Sequence, residues 1–153
     1  MSVKSVKEEL EIRAPDLKII EHNVSTASVD EAALAHNVKP GQIVKTIALM
    51  LDQPILLMVA GDTKIDNKKY KNMFKKKAKM LSSELTEEFT SHPIGGVCPF
   101  GLPSKLNIYA DKSLDNYDLV IPAAGSRNSS VIIEKNRLLE MVSATKVNVT
   151  VPK

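Results

Sequence analysis

Tryptophan is absent from this chain, and three phenylalanines and three tyrosines are its only large aromatic side chains. Its core must therefore be aliphatic. A single cysteine, Cys98, excludes an internal disulfide and any multi-cysteine metal site. A lone thiol suits a reducing compartment. The three histidines, His22, His36 and His92, are scattered and show no metal-ligand spacing. Neither a metal nor a cofactor is expected. The longest apolar runs, around 47–51 and 55–60, are far too short to span a bilayer. The first eighteen residues mix Lys4, Lys7, Glu8, Glu9 and Glu11 among apolar positions, which is not the pattern of a signal peptide. Rossmann and Walker fingerprints and the Gly-x-Ser-x-Gly elbow are also missing. These absences point to a soluble cytoplasmic protein with no membrane partner.

What is present suits one globular domain. The 153 residues are 43% hydrophobic and 25% charged, and no linker, repeat or low-complexity tract divides positions 1–153. The net charge of +3 is unevenly placed. Residues 64–79 hold eight lysines and one acid, a net of +7, which leaves −4 for the rest. Such a cluster attracts phosphate backbones without reading sequence. A solvated helix face is the plainer explanation. Only Tyr70 and Phe74 interrupt the cluster, so base stacking along it is not expected.

Periodicity and capping residues predict the elements. Val6 and Leu10 mark an amphipathic helix over 4–14, which Pro15 ends. A strand follows at 17–21. Ser25 or Ser28 can cap a helix over 29–36 with Asp30 and Glu31 in its first turn. Segments 43–51 and 55–60 read as a hairpin through Asp52-Gln53-Pro54. A lysine-rich helix is predicted over 67–75, a connector or short strand over 77–81 and a helix over 82–89. Strands are predicted at 107–111, 119–122, 131–134 and 147–151, with a helix at 137–142. The implied class is α+β, a mixed and mostly antiparallel sheet curled into a barrel and flanked by helices.

Two local features suggest chemistry. Gly95-Gly96-Val97-Cys98-Pro99-Phe100-Gly101 places three glycines and a proline in seven residues. Such a loop is stiff and can bring bare amides close to an anionic or carbonyl oxygen; a glycine-rich turn without a ligand is the alternative. Lys45 shares a strand face with Ile43 and Ile47, so it either snorkels or points into a polar cavity. In a cavity it could hold a phosphate or polarise a carbonyl. His92 could line a pocket. Cys98 would be a nucleophile only beside a base and is otherwise a small buried side chain.

Val44-Lys45-Thr46, Ala60-Gly61-Asp62, Gly95 through Gly101, Tyr109-Ala110-Asp111 and Ala124-Gly125-Ser126-Arg127 occur in this order. Together they resemble the YbaK family, also called the prolyl-tRNA-synthetase-associated or aminoacyl-tRNA deacylase domain, from about residue 25 to 149. The resemblance implies a helix-flanked mixed β-barrel that hydrolyses mischarged aminoacyl-tRNA, with tRNA for proline carrying cysteine, alanine or another small amino acid as substrate. It implies catalytic roles for Lys45, Gly95, Gly96 and Asp111. It implies substrate contacts from Val97, Cys98, Pro99, Phe100, Gly101, Gly125 and Ser126. Asp111 would orient Lys45 or hold the substrate ammonium. Lys68, Lys69, Lys75, Lys76 and Lys77 then gain the tRNA backbone as a partner, and prolyl-tRNA synthetase is a further one. The competing reading is a non-catalytic module of the same fold that binds tRNA or a synthetase.

Overall fold

Alternating burial along one hairpin organises the molecule. In the computed structural model, which describes residues 2–153, β2 (Ile43–Met50) and β3 (Pro54–Ala60) pair antiparallel from Val44↔Ala60 to Met50↔Pro54. Pro54 opens its strand, where a missing N–H is tolerated. Every residue of β3 is buried, because both of its edges are paired and both of its faces are covered. Leu56 and Met58 face one apolar cluster with Val44, Ala48 and Phe100. Ile55, Leu57 and Val59 face another with Ile47, Leu49 and Tyr70. Each fully buried aliphatic side chain contributes about 1.5–3 kcal/mol relative to exposure.

The remaining strands extend this pair. β6 (Leu119–Pro122) runs parallel to β2, and β8 (Ile133–Glu134) lies antiparallel beside it. β5 (Asn107–Asp111) runs parallel to β3, and β9 (Thr145–Val147) parallel to β5. The six-stranded order is β8-β6-β2-β3-β5-β9, curled as a mixed half-barrel. Two short ribbons complete it. β1 (Ile20–Glu21) pairs β7 (Ser129–Ser130), and β4 (Thr63–Ile65) pairs β10 (Thr150–Pro152), both antiparallel. Among the described residues the α+β class and the mixed sheet agree with expectation, but in the six-stranded sheet three of the five pairings are parallel, and antiparallel pairings are the majority only when the two ribbons are counted.

Helices α1 (Ser2–Arg13), α2 (Val29–His36), α3 (Asn67–Phe74), α4 (Ser83–Thr90) and α5 (Lys135–Met141) fall close to their predicted positions. Local chemistry explains the match. Ser28 and Glu31 form a capping box on α2, and Asn37 ends it in the left-handed conformation. Asp66 caps α3 by accepting from the N–H groups of Lys68 and Lys69.

Three departures share a cause in long-range pairing. The expected strand at 147–151 is divided between β9 and β10, which belong to different sheets. The turn between them is held by Asp111, whose carboxylate accepts from Val149 N–H at 2.7 Å and from the Thr150 hydroxyl at 2.7 Å. The strand expected at 131–134 shortens to β8, with Val131 N–H donating back to the Pro122 carbonyl, and the unexpected β7 precedes it and pairs with a different strand. β4 was not anticipated, and its three residues take their register from β10. The strand expected at 17–21 shortens to β1. No helix among the described residues is long and apolar enough to cross a membrane.

Candidate active site

The start of α2 and residues Ile43–Ala48 of β2 border a cavity of about 220 Å³. That is smaller than typical drug-sized pockets and suits a small side chain. Its walls are aliphatic, including Ile47, Ile121 and Val97. Thr26, Thr46, Ser129 and Ser130 are also among the residues that line it. The Thr46 hydroxyl oxygen is buried and has no hydrogen-bond partner. An unpaired buried hydroxyl destabilises by about 1–3 kcal/mol, and this oxygen is sealed from solvent.

Lys45 lines the same cavity. Its Nζ donates to the Thr63 carbonyl at 3.2 Å. Among the described residues no carboxylate pairs with it. Burial lowers its pKa from the ordinary lysine value, and the Lys153 charge lowers it further. Lys45 is thus a half-buried cation without a counter-ion, placed beside a small cavity. Its ammonium is bonded at Thr63, which is not among the lining residues.

The glycine loop divides between two jobs. Gly95 and Val97 line the cavity, and neither N–H has a partner within the described residues. Gly95 has φ +94°, and a Cβ there would approach the Ala27 Cβ to 2.8 Å. Gly96 differs from expectation as a donor. Its N–H donates to Pro93 at 2.9 Å, and its carbonyl accepts from Gly125 N–H at 3.0 Å. A Cβ on Gly96 would meet the Ser126 backbone at 2.7 Å, so its role is close packing. Gly125 and Ser126 stand behind the loop rather than in the cavity. The Ser126 hydroxyl donates to Ser129 Oγ at 2.7 Å.

The second half of the loop turns inward, against expectation. Cys98, Pro99 and Phe100 are buried. Cys98 and Phe100 sit in the main apolar cluster, which is where a small thiol and a phenyl ring are best placed. Burial pushes the Cys98 thiol up to about 12, so it is no nucleophile near neutrality. His92 is buried beside it and donates from Nε2 to the Phe100 carbonyl at 2.6 Å. Burial holds its pKa below the ordinary histidine value, and it does not line the cavity. Gly101 faces α1, where its N–H donates to Glu9 at 3.0 Å.

Asp111 is also elsewhere. It is 1% exposed, and its oxygens are taken by Val149, Thr150 and Ser113. No bond or ion pair joins it to Lys45 among the described residues. It anchors the C-terminal strands and does not orient the lysine.

The lysine cluster is partly committed to structure. Lys69 Nζ donates to the Thr150 carbonyl at 2.8 Å, and Lys76 pairs with Asp52 at 2.6 Å. Lys68, Lys75 and Lys77 are exposed and bear no ion pair among the described residues.

One group escaped sequence reasoning. His22 follows β1, His36 ends α2, and Ser130 lies in β7 on the cavity wall. The His36 Nε2 lies 2.6 Å from Ser130 Oγ, and the His22 Nε2 lies 3.1 Å from it. The two imidazole Nε2 atoms are 3.2 Å apart. Only the β1–β7 register, Ile20↔Ser130, brings these distant positions together.

A family model described as the aminoacyl-tRNA editing domain matches residues 23–141. The uncharacterized protein YwhH of Bacillus subtilis (strain 168) is 41% identical over 155 residues, covering 100% of this chain and 98% of that protein. A proline–tRNA ligase of Syntrophus aciditrophicus (strain SB) is 28% identical over 125 residues, which cover 79% of this chain and 22% of the ligase. A crystal structure described as a candidate trans-editing enzyme for prolyl tRNA synthetase superposes with a TM-score of 0.90 at 29% identity. That superposition covers 98% of this chain and 97% of the other. The matched span contains Lys45, the glycine loop and every cavity wall described above, and the chain belongs to the aminoacyl-tRNA editing domain family.

Proposed function

We propose that this protein is an aminoacyl-tRNA deacylase that removes a small amino acid, alanine or cysteine among them, from mischarged tRNA for proline. The observation that carries the reading is Lys45, a half-buried cation with no counter-ion beside a cavity of about 220 Å³. Family membership and the likeness to proline–tRNA ligases support the choice of substrate class.

The chemistry fits these residue types. An aminoacyl ester is already activated, so placing a water and stabilising the developing oxyanion can suffice. The amino-acid side chain enters the aliphatic cavity. Lys45 steadies the ester or the terminal nucleotide, and the unpaired N–H groups of Gly95 and Val97 are donors for the carbonyl oxygen. Each such donor is worth about 3 kcal/mol in the transition state. Editing is needed because one methylene changes binding by only about 1–3 kcal/mol, too little for a synthetase to reject smaller analogues. Exposed Lys68, Lys75 and Lys77 supply charge for the tRNA backbone. Prolyl-tRNA synthetase is the partner suggested by the ligase relatives.

The test is a deacylation panel on tRNA for proline charged with alanine, cysteine, serine or proline. Hydrolysis of at least one mischarged species in preference to the prolyl ester is expected. Tight tRNA binding with no hydrolysis of any species would establish the non-catalytic binding module instead.

A further inference from the structure

We propose that Ser130 and His36 form the proton-accepting pair of this hydrolysis, with His22 holding their hydrogen bonds in order. The inference rests on the deacylase reading. Ser130 Oγ, His36 Nε2 and His22 Nε2 form a triangle with edges of 2.6, 3.1 and 3.2 Å. Ser130 is 3% exposed and lines the cavity that Lys45 also lines.

The relay uses one of the tautomer arrangements open to these three atoms. In it the Ser130 hydroxyl donates to His36 Nε2 across the 2.6 Å edge, and His22 Nε2–H donates to Ser130 Oγ across the 3.1 Å edge. His36 then carries its own proton on Nδ1, and its Nε2 lone pair is the base. This is the nucleophile–base arrangement with a third group orienting the pair. Here the nucleophile is water. Its oxygen bonds to the ester carbonyl carbon as its proton passes to Ser130 Oγ and the Ser130 proton passes to His36 Nε2. The His36 imidazolium now donates to Ser130 Oγ, which frees the hydroxyl hydrogen to turn into the cavity. When the tetrahedral intermediate collapses, the bond to the ribose oxygen breaks. Ser130 gives its proton to that oxygen, and His36 returns one to Ser130. The products are the free amino acid and the tRNA hydroxyl, and the trio is restored.

The surroundings favour a neutral base. Burial and the neighbouring His22 hold the His36 pKa below its ordinary value. Among the described residues no acid contacts the trio. On α2, Glu31 is bonded to Ser25 and the Ser28 N–H, and Asp30 is exposed. On β1, Glu21 is exposed, and on the β6–β7 loop Arg127 donates to Ile94. Lys45 is the remaining charged group on the cavity wall.

The experiment uses the full chain and alanyl-tRNA for proline, in single-turnover deacylation from pH 5 to 9. Wild type is expected to lose rate as pH falls through the His36 pKa, below about 6.5. His36→Gln and Ser130→Ala are expected to be at least 100-fold slower at pH 7.5, and the acidic limb should vanish. His36→Ala should regain rate with added imidazole, in proportion to the unprotonated imidazole, an effect that a purely structural role would not produce. Melting temperatures verify folding, and either histidine variant serves if Ser130→Ala does not fold. Folded variants that keep the wild-type rate and limb would overturn the relay while leaving the deacylase intact. An acyl group trapped on Ser130 would overturn it too, because serine would then be the nucleophile. Inactive wild type would remove the deacylase reading itself.

Discussion

Replacing Lys45 with methionine should separate function from stability. Methionine keeps an unbranched chain of similar length and removes the charge. In the folded protein Lys45 Nζ makes one hydrogen bond, to the Thr63 carbonyl at 3.2 Å, which leaves two of its three donors free. A unit positive and a unit negative charge about 4 Å apart at an effective dielectric constant of about 20 attract by about 4 kcal/mol. That agrees with the roughly 2.7–4 kcal/mol lost when one oxyanion donor is removed. Lys45→Met should therefore slow deacylation by about 10²–10³-fold. Stability should move the other way. Burial lowers the folded-state pKa of Lys45, so the unfolded chain binds the proton more tightly. The penalty on folding is then full at neutral pH and fades only as pH rises through the folded pKa. Methionine escapes it, so the melting temperature at pH 7 should stay level or rise. The assay pairs single-turnover deacylation with thermal unfolding at pH 7. A rate within threefold of wild type would refute the role of the charge. A fall of several degrees in melting temperature would show that Lys45 is a structural residue.

Three more outcomes follow from the same geometry. Asp111→Ala removes an acceptor of three hydrogen bonds and leaves Val149 N–H unpaired. Chemical denaturation should show a loss of about 2–5 kcal/mol, and the protein that remains folded should keep its rate; a rate loss without instability would return Asp111 to the active site. Cys98, fully buried with its thiol near pKa 12, should resist alkylation at pH 8 until the protein is unfolded, and labelling of the native protein at the pace of a free thiol would contradict this. Lys68→Ala, Lys75→Ala and Lys77→Ala combined should weaken tRNA binding and flatten its dependence on salt, and an unchanged slope in a salt titration would take these lysines out of the interface.

The legible parts of the molecule were those written locally. A lysine inside an apolar strand left snorkelling and a cavity both open, and the structure puts Lys45 among the residues lining a cavity with its ammonium bonded to the Thr63 carbonyl. The Ser28 cap of α2 is equally local, being one of the two caps that the sequence offered for a helix over 29–36. Gly95 was readable because a positive φ beside a close neighbour demands glycine. Direction was not readable. The loop reverses between Val97 and Cys98, so adjacent residues serve cavity and core, and only packing against α1 and the main cluster decides which. The same limit hid the job of Asp111, whose partners lie 38 and 39 residues onward. It also hid the assembly of His22, His36 and Ser130. Isolated histidines carry no pattern, and two-residue strands such as β1 and β7 are too short to show one.

The central claim is ester hydrolysis at the cavity beside Lys45. The direct measurement is single-turnover release of labelled alanine from alanyl-tRNA for proline, set against release of proline from the correctly charged species. Mischarged ester hydrolysed well above the spontaneous rate, with the prolyl ester spared, is the predicted result. Release no faster than in buffer alone for alanine and for every other small amino acid would contradict it.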